Sequence, residues 1–125
     1  MSRLLLDTHV FLWWAQANPQ IRAQWVEEIA DDSNTVHVSA VAAWEIETKR
    51  RIKKLNFDDD VSRVATEFGF EPLAITLQHA SLAGQLDWDH RDPFDRMLAA
   101  QALSNDMVLL SADVAMRSAP GVRVL

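Results

Sequence analysis

Cysteine is missing from the 125 residues, which excludes disulfides, thiol nucleophiles and thiolate metal sites and fits a reducing cytoplasm. Glycine is nearly as scarce. Three residues cannot build the glycine-rich loop with which nucleotide-binding folds cradle phosphates. Long apolar runs are lacking too: the longest, Val10 to Ala15, is far too short to span a bilayer. The amino terminus carries no basic-then-apolar leader pattern, so no membrane association is expected. Repeats, low-complexity tracts and linker-like stretches are also absent, which points to one domain over residues 1–125.

What remains is an ordinary globular composition, 49% hydrophobic and 24% charged. A chain of this length buries roughly two-thirds of its unfolded surface. Strand-like runs fall at Arg3 to Leu6, Thr35 to Val38, Pro72 to Ile75, Met107 to Leu110 and Val122 to Val124. Helical patterns fill the gaps at Thr8 to Gln16, Pro19 to Asp32, Ala40 to Lys53, Asp59 to Phe68, Leu77 to Gly84 and Pro93 to Ser104. Ser39 and Thr76 suit N-caps, and Pro19 and Pro93 suit first helical positions. Strands alternating with helices predict an α/β fold in three layers, with a mainly parallel sheet of about five strands. Two helical patterns joined by Leu55 to Asp58, with no strand between them, predict a helical hairpin beside that sheet.

The net charge of −6 argues against a nucleic-acid partner, because phosphate contacts need Lys and Arg. The distribution softens that objection. Five of the 12 basic residues lie between Lys49 and Lys54, and a bound divalent cation would reverse the sign around clustered acids.

Acids stand where an α/β fold places its ligands. Asp7 follows the Leu4-Leu5-Leu6 strand directly, at the carboxyl end where open sheets bind. On the Ala40–Lys53 helix, a rotation of about 100° per residue sets Glu45 in the inward stripe with Val41, Thr48 and Ile52, while Glu47 points outward. A carboxylate there needs a metal or a partner such as Lys49, one turn on. Asp95 shares a face with Leu98, Ala99, Ala102 and Leu103. Asp92 leans the same way and also reads as the N-cap before Pro93. Asp113 leaves a buried strand and reads either as a turn cap or as a ligand. Four or five carboxylates on one cleft cannot all stay ionised without a cation, so Mg²⁺ or Mn²⁺, and with it phosphate chemistry, is expected.

Other constellations are weaker. His9, His37, His79 and His90 lack metal-ligand spacing. His90 precedes the acid pair and stands either near a bound phosphate or as a solvated loop residue. Trp14, Trp25 and Trp44 fit apolar helix faces and are expected in core or dimer packing rather than base stacking. Trp88 falls in a polar loop.

Four segments together resemble PIN-domain ribonucleases, and more narrowly the VapC toxins of bacterial toxin–antitoxin pairs. They are Leu4-Leu5-Leu6-Asp7-Thr8-His9, Trp44-Glu45-Ile46 with Lys49, His90 to Ala102 around Asp92-Pro93-Phe94-Asp95, and Ser111-Ala112-Asp113. They occur in family order over nearly the whole chain. The resemblance implies a PIN-like fold and an endoribonuclease using Mg²⁺ or Mn²⁺. By motif matching, Asp7, Glu45 and Asp95 take three central acidic positions and Asp113 the fourth, with Asp92 as a second acid beside Asp95. Which of Asp92 and Asp95 is the direct ligand stays open, as does the number of ions. Ser111 stands where the family often has Thr.

The resemblance further implies a homodimer and a cognate VapB antitoxin. One or two ions held by Asp7, Asp95 and Asp113, with Glu45 directly or through water, would activate water for in-line attack and leave a 5′-phosphate. The candidate RNA contacts are Lys49, Arg50, Arg51, Arg96 and Ser111, with Lys53 and Lys54 nearby. A competing reading is a non-catalytic, metal-stabilised RNA- or protein-binding module of the same fold. A phosphoaspartyl receiver is disfavoured because no lysine follows the late strand.

Overall fold

A computed structural model describes residues 1–125. The elements run β1 (Arg3–Leu6), α1 (Thr8–Ala15), α2 (Ala23–Ala30), β2 (Thr35–Ser39) and α3 (Ala40–Arg51). They continue with α4 (Val61–Glu67), β3 (Glu71–Leu73), α5 (Leu77–Gln85), α6 (Pro93–Ser104), β4 (Val108–Leu110), a 3₁₀ turn (Val114–Ser118) and β5 (Arg123–Val124).

The five strands form one sheet in the order β3-β2-β1-β4-β5, with every pairing parallel. Parallel sheets bury both faces, which explains why β1 is an unbroken Leu run rather than an alternating one. Leu4 and Leu6 face one core with Phe11, Trp25, Ile46, Val64 and Phe70. Leu5 faces the other, with Leu98, Ala99, Met107, Leu109 and Met116. Helices α1, α2 and α4 cover the first face, and α5, α6 and the 3₁₀ turn cover the second. Pro72, which has no N–H for a ladder, lies in the edge strand β3. No helix is long and apolar enough to cross a membrane.

The caps read from sequence behave as expected. The Ser39 hydroxyl accepts from the Val41 amide, and Thr76 forms a capping box with His79. Pro93 opens α6 behind the Asp92 cap. One boundary differs: α2 begins at Ala23, and Pro19 sits in a preceding turn. Ala17 there adopts a positive φ of 50°, which turns the chain before a helix can start. The far end of α3 also departs from the expected inward stripe. Thr48 and Ile52 are exposed, because the helix continues past the sheet that buries its first turns.

Candidate active site

Strand β1 lies at the centre of the sheet, with the chain winding to one side through β2 and β3 and to the other through β4 and β5. This is a topological switch point, and Asp7 stands at its carboxyl edge. Although Asp7 precedes α1, its carboxylate makes no capping bond to that helix. It accepts instead from the Ser111 hydroxyl at 2.5 Å. Ser111 is fully buried at the exit of β4, and its oxygen also accepts from the Asp113 amide at 3.1 Å. Burial pushes the Asp7 carboxyl above its ordinary range; the Ser111 bond opposes the shift and the Glu45 charge adds to it.

Glu45 is 4% exposed in the second turn of α3. Its Oε1 accepts from the Thr8 hydroxyl at 2.6 Å, and its Oε2 pairs with Lys49 Nζ at 2.5 Å. The carboxylate thus makes the Lys49 ion pair that the sequence offered and also lines the cleft. Burial alone would lower the Lys49 pKa. The hydrogen bond and charge of Glu45, helped by Asp92 and Asp95, raise it instead.

Helix α6 contributes two acids from its amino end. Asp92 Oδ1 accepts from the Phe94 and Asp95 amides at 2.9 and 3.2 Å. Asp95, in the first turn, is pushed up to about 6 by burial, with the charges of Asp92, Asp7 and Asp113 adding and the His90 hydrogen bond opposing. His90 Nε2 lies 2.7 Å from Asp95 Oδ2. Asp113 caps the 3₁₀ turn through the Ala115 amide at 3.0 Å.

These parts meet in one pocket of about 340 Å³, lined by Asp7, His9, Trp13, Glu45, Lys49, Asp92, Asp95, Ala112 and Asp113. All five acids singled out in the sequence line it, drawn from β1, α3, α6 and the turn after β4. Single ligand atoms of His90, Asp95 and Asp113 lie within 4.8 Å of one another. Lys49 is the one lysine or arginine on the lining. A cluster of hard carboxylate oxygens, two of them with pKa raised by burial and by neighbouring acids, fits a divalent cation.

Several expectations for the surrounding residues need correction. Arg96 does not face the pocket. Its guanidinium donates to the carbonyls of Ala83, Leu86, Trp88 and His90 at 2.6–2.9 Å and so organises the loop ahead of α6. Ser111 is buried and orients Asp7, and no surface is left on it for RNA. Arg50 is committed to Glu47 and the Asp59 carbonyl, with its guanidinium over the Phe57 ring, whereas Arg51, Lys53 and Lys54 are exposed. Trp44 is 54% exposed and packs edge-on against Phe94, which excludes the core but not the dimer packing among the two placements expected for it. Trp88 is buried, with its ring against His90, and this packing and Asp95 leave His90 half-buried.

Trp13 was not singled out and His9 was set aside as a metal ligand, yet both line the pocket. Their spacing was the available signal. Residues four apart share a helix face, and the α1 face beginning two residues after Asp7 looks onto the cleft.

A family model described as "PIN domain" matches residues 4–122. No curated protein matches significantly. Among solved structures, VapBC2 from Rickettsia felis, bound to a fragment of its promoter DNA, superposes with a TM-score of 0.72 at 14% identity, covering 98% of this chain and 97% of that one. DNA-bound VapBC from Salmonella typhimurium gives 0.68 at 20% identity over 100% and 98% of the two chains. VapBC-5 from Mycobacterium tuberculosis gives 0.60 at 18% identity over 100% and 97%. At these identities the likeness is one of fold.

Proposed function

The chain belongs to the PIN-domain family, and from that premise we propose that it is a divalent-metal-dependent endoribonuclease, the toxin half of a VapBC-type pair. The observation that carries the reading is the convergence of five carboxylates, from four separated stretches of chain, on one pocket at the sheet's switch point. Such a cluster is self-destabilising unless something positive enters it.

In this reading Asp7, Asp95 and Asp113 hold Mg²⁺ or Mn²⁺, with Asp92 and Glu45 at the margin. The bound ion supplies a Lewis acid that neutralises charge building on the phosphate and lowers the pKa of water. The protein's own contribution is orientation. Ser111 fixes the Asp7 carboxylate from beneath, Thr8 and Lys49 fix that of Glu45, and His90 restrains Asp95. Asp113 is turned toward the same space by its cap on the 3₁₀ turn. Donors aimed before substrate arrives need no reorganisation during reaction.

The structural neighbours include several VapBC complexes, some on DNA. A VapB-type antitoxin is proposed on that basis, and a homodimer and a cytoplasmic setting on the family resemblance alone. The test is to map RNA 5′ ends in cells expressing the wild type and the Asp7→Ala variant. New 5′-phosphate, 3′-hydroxyl ends are expected only with the wild type. Ends bearing a 2′,3′-cyclic phosphate would refute the water-attack scheme, and RNA binding without any cleavage would favour the non-catalytic module.

A further inference from the structure

The pocket has two poles of unequal character. At one, Asp95 and Asp113, with His90 beside them, bring ligand atoms within 4.8 Å of each other, and no lysine or arginine is built in there. At the other, Glu45 already has a partner on each oxygen: the Thr8 hydroxyl at 2.6 Å on Oε1 and the Lys49 ammonium at 2.5 Å on Oε2. Thr8 is fully buried and Glu45 nearly so, while Lys49 is half-buried and reaches in from one turn further along α3. The pair is therefore a fixed part of the wall rather than a surface contact.

We propose that Lys49 is the pocket's resident cation, occupying the Glu45 pole where a second divalent ion would otherwise sit, so that the chain binds one divalent ion, at the Asp95–Asp113 pole. The proposal rests on the metal-dependent reading given above and assigns what that reading leaves open, the number of ions. Its physical basis is mutual exclusion. A divalent ion on Glu45 would lie within a few ångströms of an ammonium group in a partly desolvated cleft, where like charges repel strongly. Expelling Lys49 instead would strand its charge and break the shortest polar contact that Glu45 makes. The cation is also positioned beside the nearby acids Asp92 and Asp95, so it neutralises the cluster even before a metal arrives.

The experiment is a Mn²⁺ titration of the full-length protein, followed by electron paramagnetic resonance and by calorimetric stoichiometry. The wild type is expected to bind one Mn²⁺ per chain with no Mn–Mn coupling. Lys49→Met, which keeps the stem and removes the charge, is expected to bind two with a coupled signal, and Lys49→Arg to remain at one. Lys49→Met/Glu45→Gln removes both buried charges together and is expected to return to one; it also serves if the single Met variant does not fold. Two ions on the wild type, one on Lys49→Met, or two on the double variant would overturn the proposal. Mn²⁺ binding to none of the proteins would overturn the metal-dependent reading along with it, an outcome distinguishable from the others.

Discussion

The Ser111 hydroxyl and the Asp7 carboxylate, 104 residues apart in sequence, meet at 2.5 Å beneath the pocket floor. The bond ties the exit of β4 to the exit of β1 and is the only protein hydrogen bond that lowers the Asp7 pKa through a side chain. Removing it should leave Asp7 harder to ionise and less well aimed. Ser111→Ala is expected to weaken Mn²⁺ affinity by about tenfold to a hundredfold, the usual range for losing a group that orients a ligand. Ser111→Thr, which keeps the hydroxyl, should remain close to wild type. Isothermal titration of the two variants separates these outcomes.

Asp95 makes metal-free stability depend on pH in a direction opposite to that of most carboxylates. Its folded pKa of about 6 lies above the ordinary 3.8, so between those values the folded protein holds a proton that the unfolded chain releases. The stabilisation is complete below the lower value and is lost as pH rises through the upper one. Asp7, also raised, acts in the same sense. In chelator, Asp95→Asn should therefore melt a few degrees above wild type at about pH 7 and converge with it below about pH 4. Saturating Mg²⁺ should raise the wild-type melting temperature and leave the variant unmoved. A wild type that outlasts the variant at neutral pH without metal would contradict the assigned cost of burying that charge among other acids.

Arg96 is predicted to matter for folding rather than for RNA. Its four carbonyl contacts hold the segment from Ala83 to His90, which carries the His90 imidazole to Asp95. Arg96→Ala should cost about 3 kcal/mol, given charged hydrogen bonds of about 1.5–3 kcal/mol each and partial replacement by water. Lysine cannot reproduce the forked geometry, so Arg96→Lys should recover little of that loss. Chemical denaturation of the three proteins measures it directly. A variant as stable as wild type would show that the loop holds itself.

The exposed cations at the end of α3 behave differently. Arg51 and Lys54 have no protein partner, whereas Arg50 is engaged by Glu47, Asp59 and Phe57. For a catalytically silenced protein, removing Arg51 or Lys54 should reduce the slope of log affinity for RNA against log salt by roughly one each. Arg50→Ala should leave the slope largely intact and lower stability instead. Unchanged slopes for Arg51 and Lys54 would confine RNA binding to the pocket itself.

How much of this was readable from sequence depends on the range of the interaction involved. The β1 strand and Asp7 were legible because an apolar run ending in an acid is a local pattern. The inward place of Glu45 followed from helix periodicity alone, and the Asp92-Pro93 cap from two adjacent residues. Thr48 and Ile52 were misplaced because periodicity gives the direction a side chain takes but not where its neighbouring layer stops. The start of α2 was missed because Pro19 suits a turn as well as a first helical position. Arg96 was assigned to RNA because the four carbonyls it binds converge only once the loop has folded around it. His90 was undervalued for the same reason, its half-buried place arising from Trp88 and Asp95 together.

The central position of β1 has a mechanical consequence. Strand β1 is laced on both edges, to β2 and to β4, so Asp7 cannot shift without unzipping two ladders. Asp113, by contrast, hangs on a five-residue 3₁₀ segment near the sheet's margin and is exposed. The cleft is thus an anvil with one adjustable jaw, and accommodation of a larger ion or a bulkier nucleotide must come from the Asp113 side.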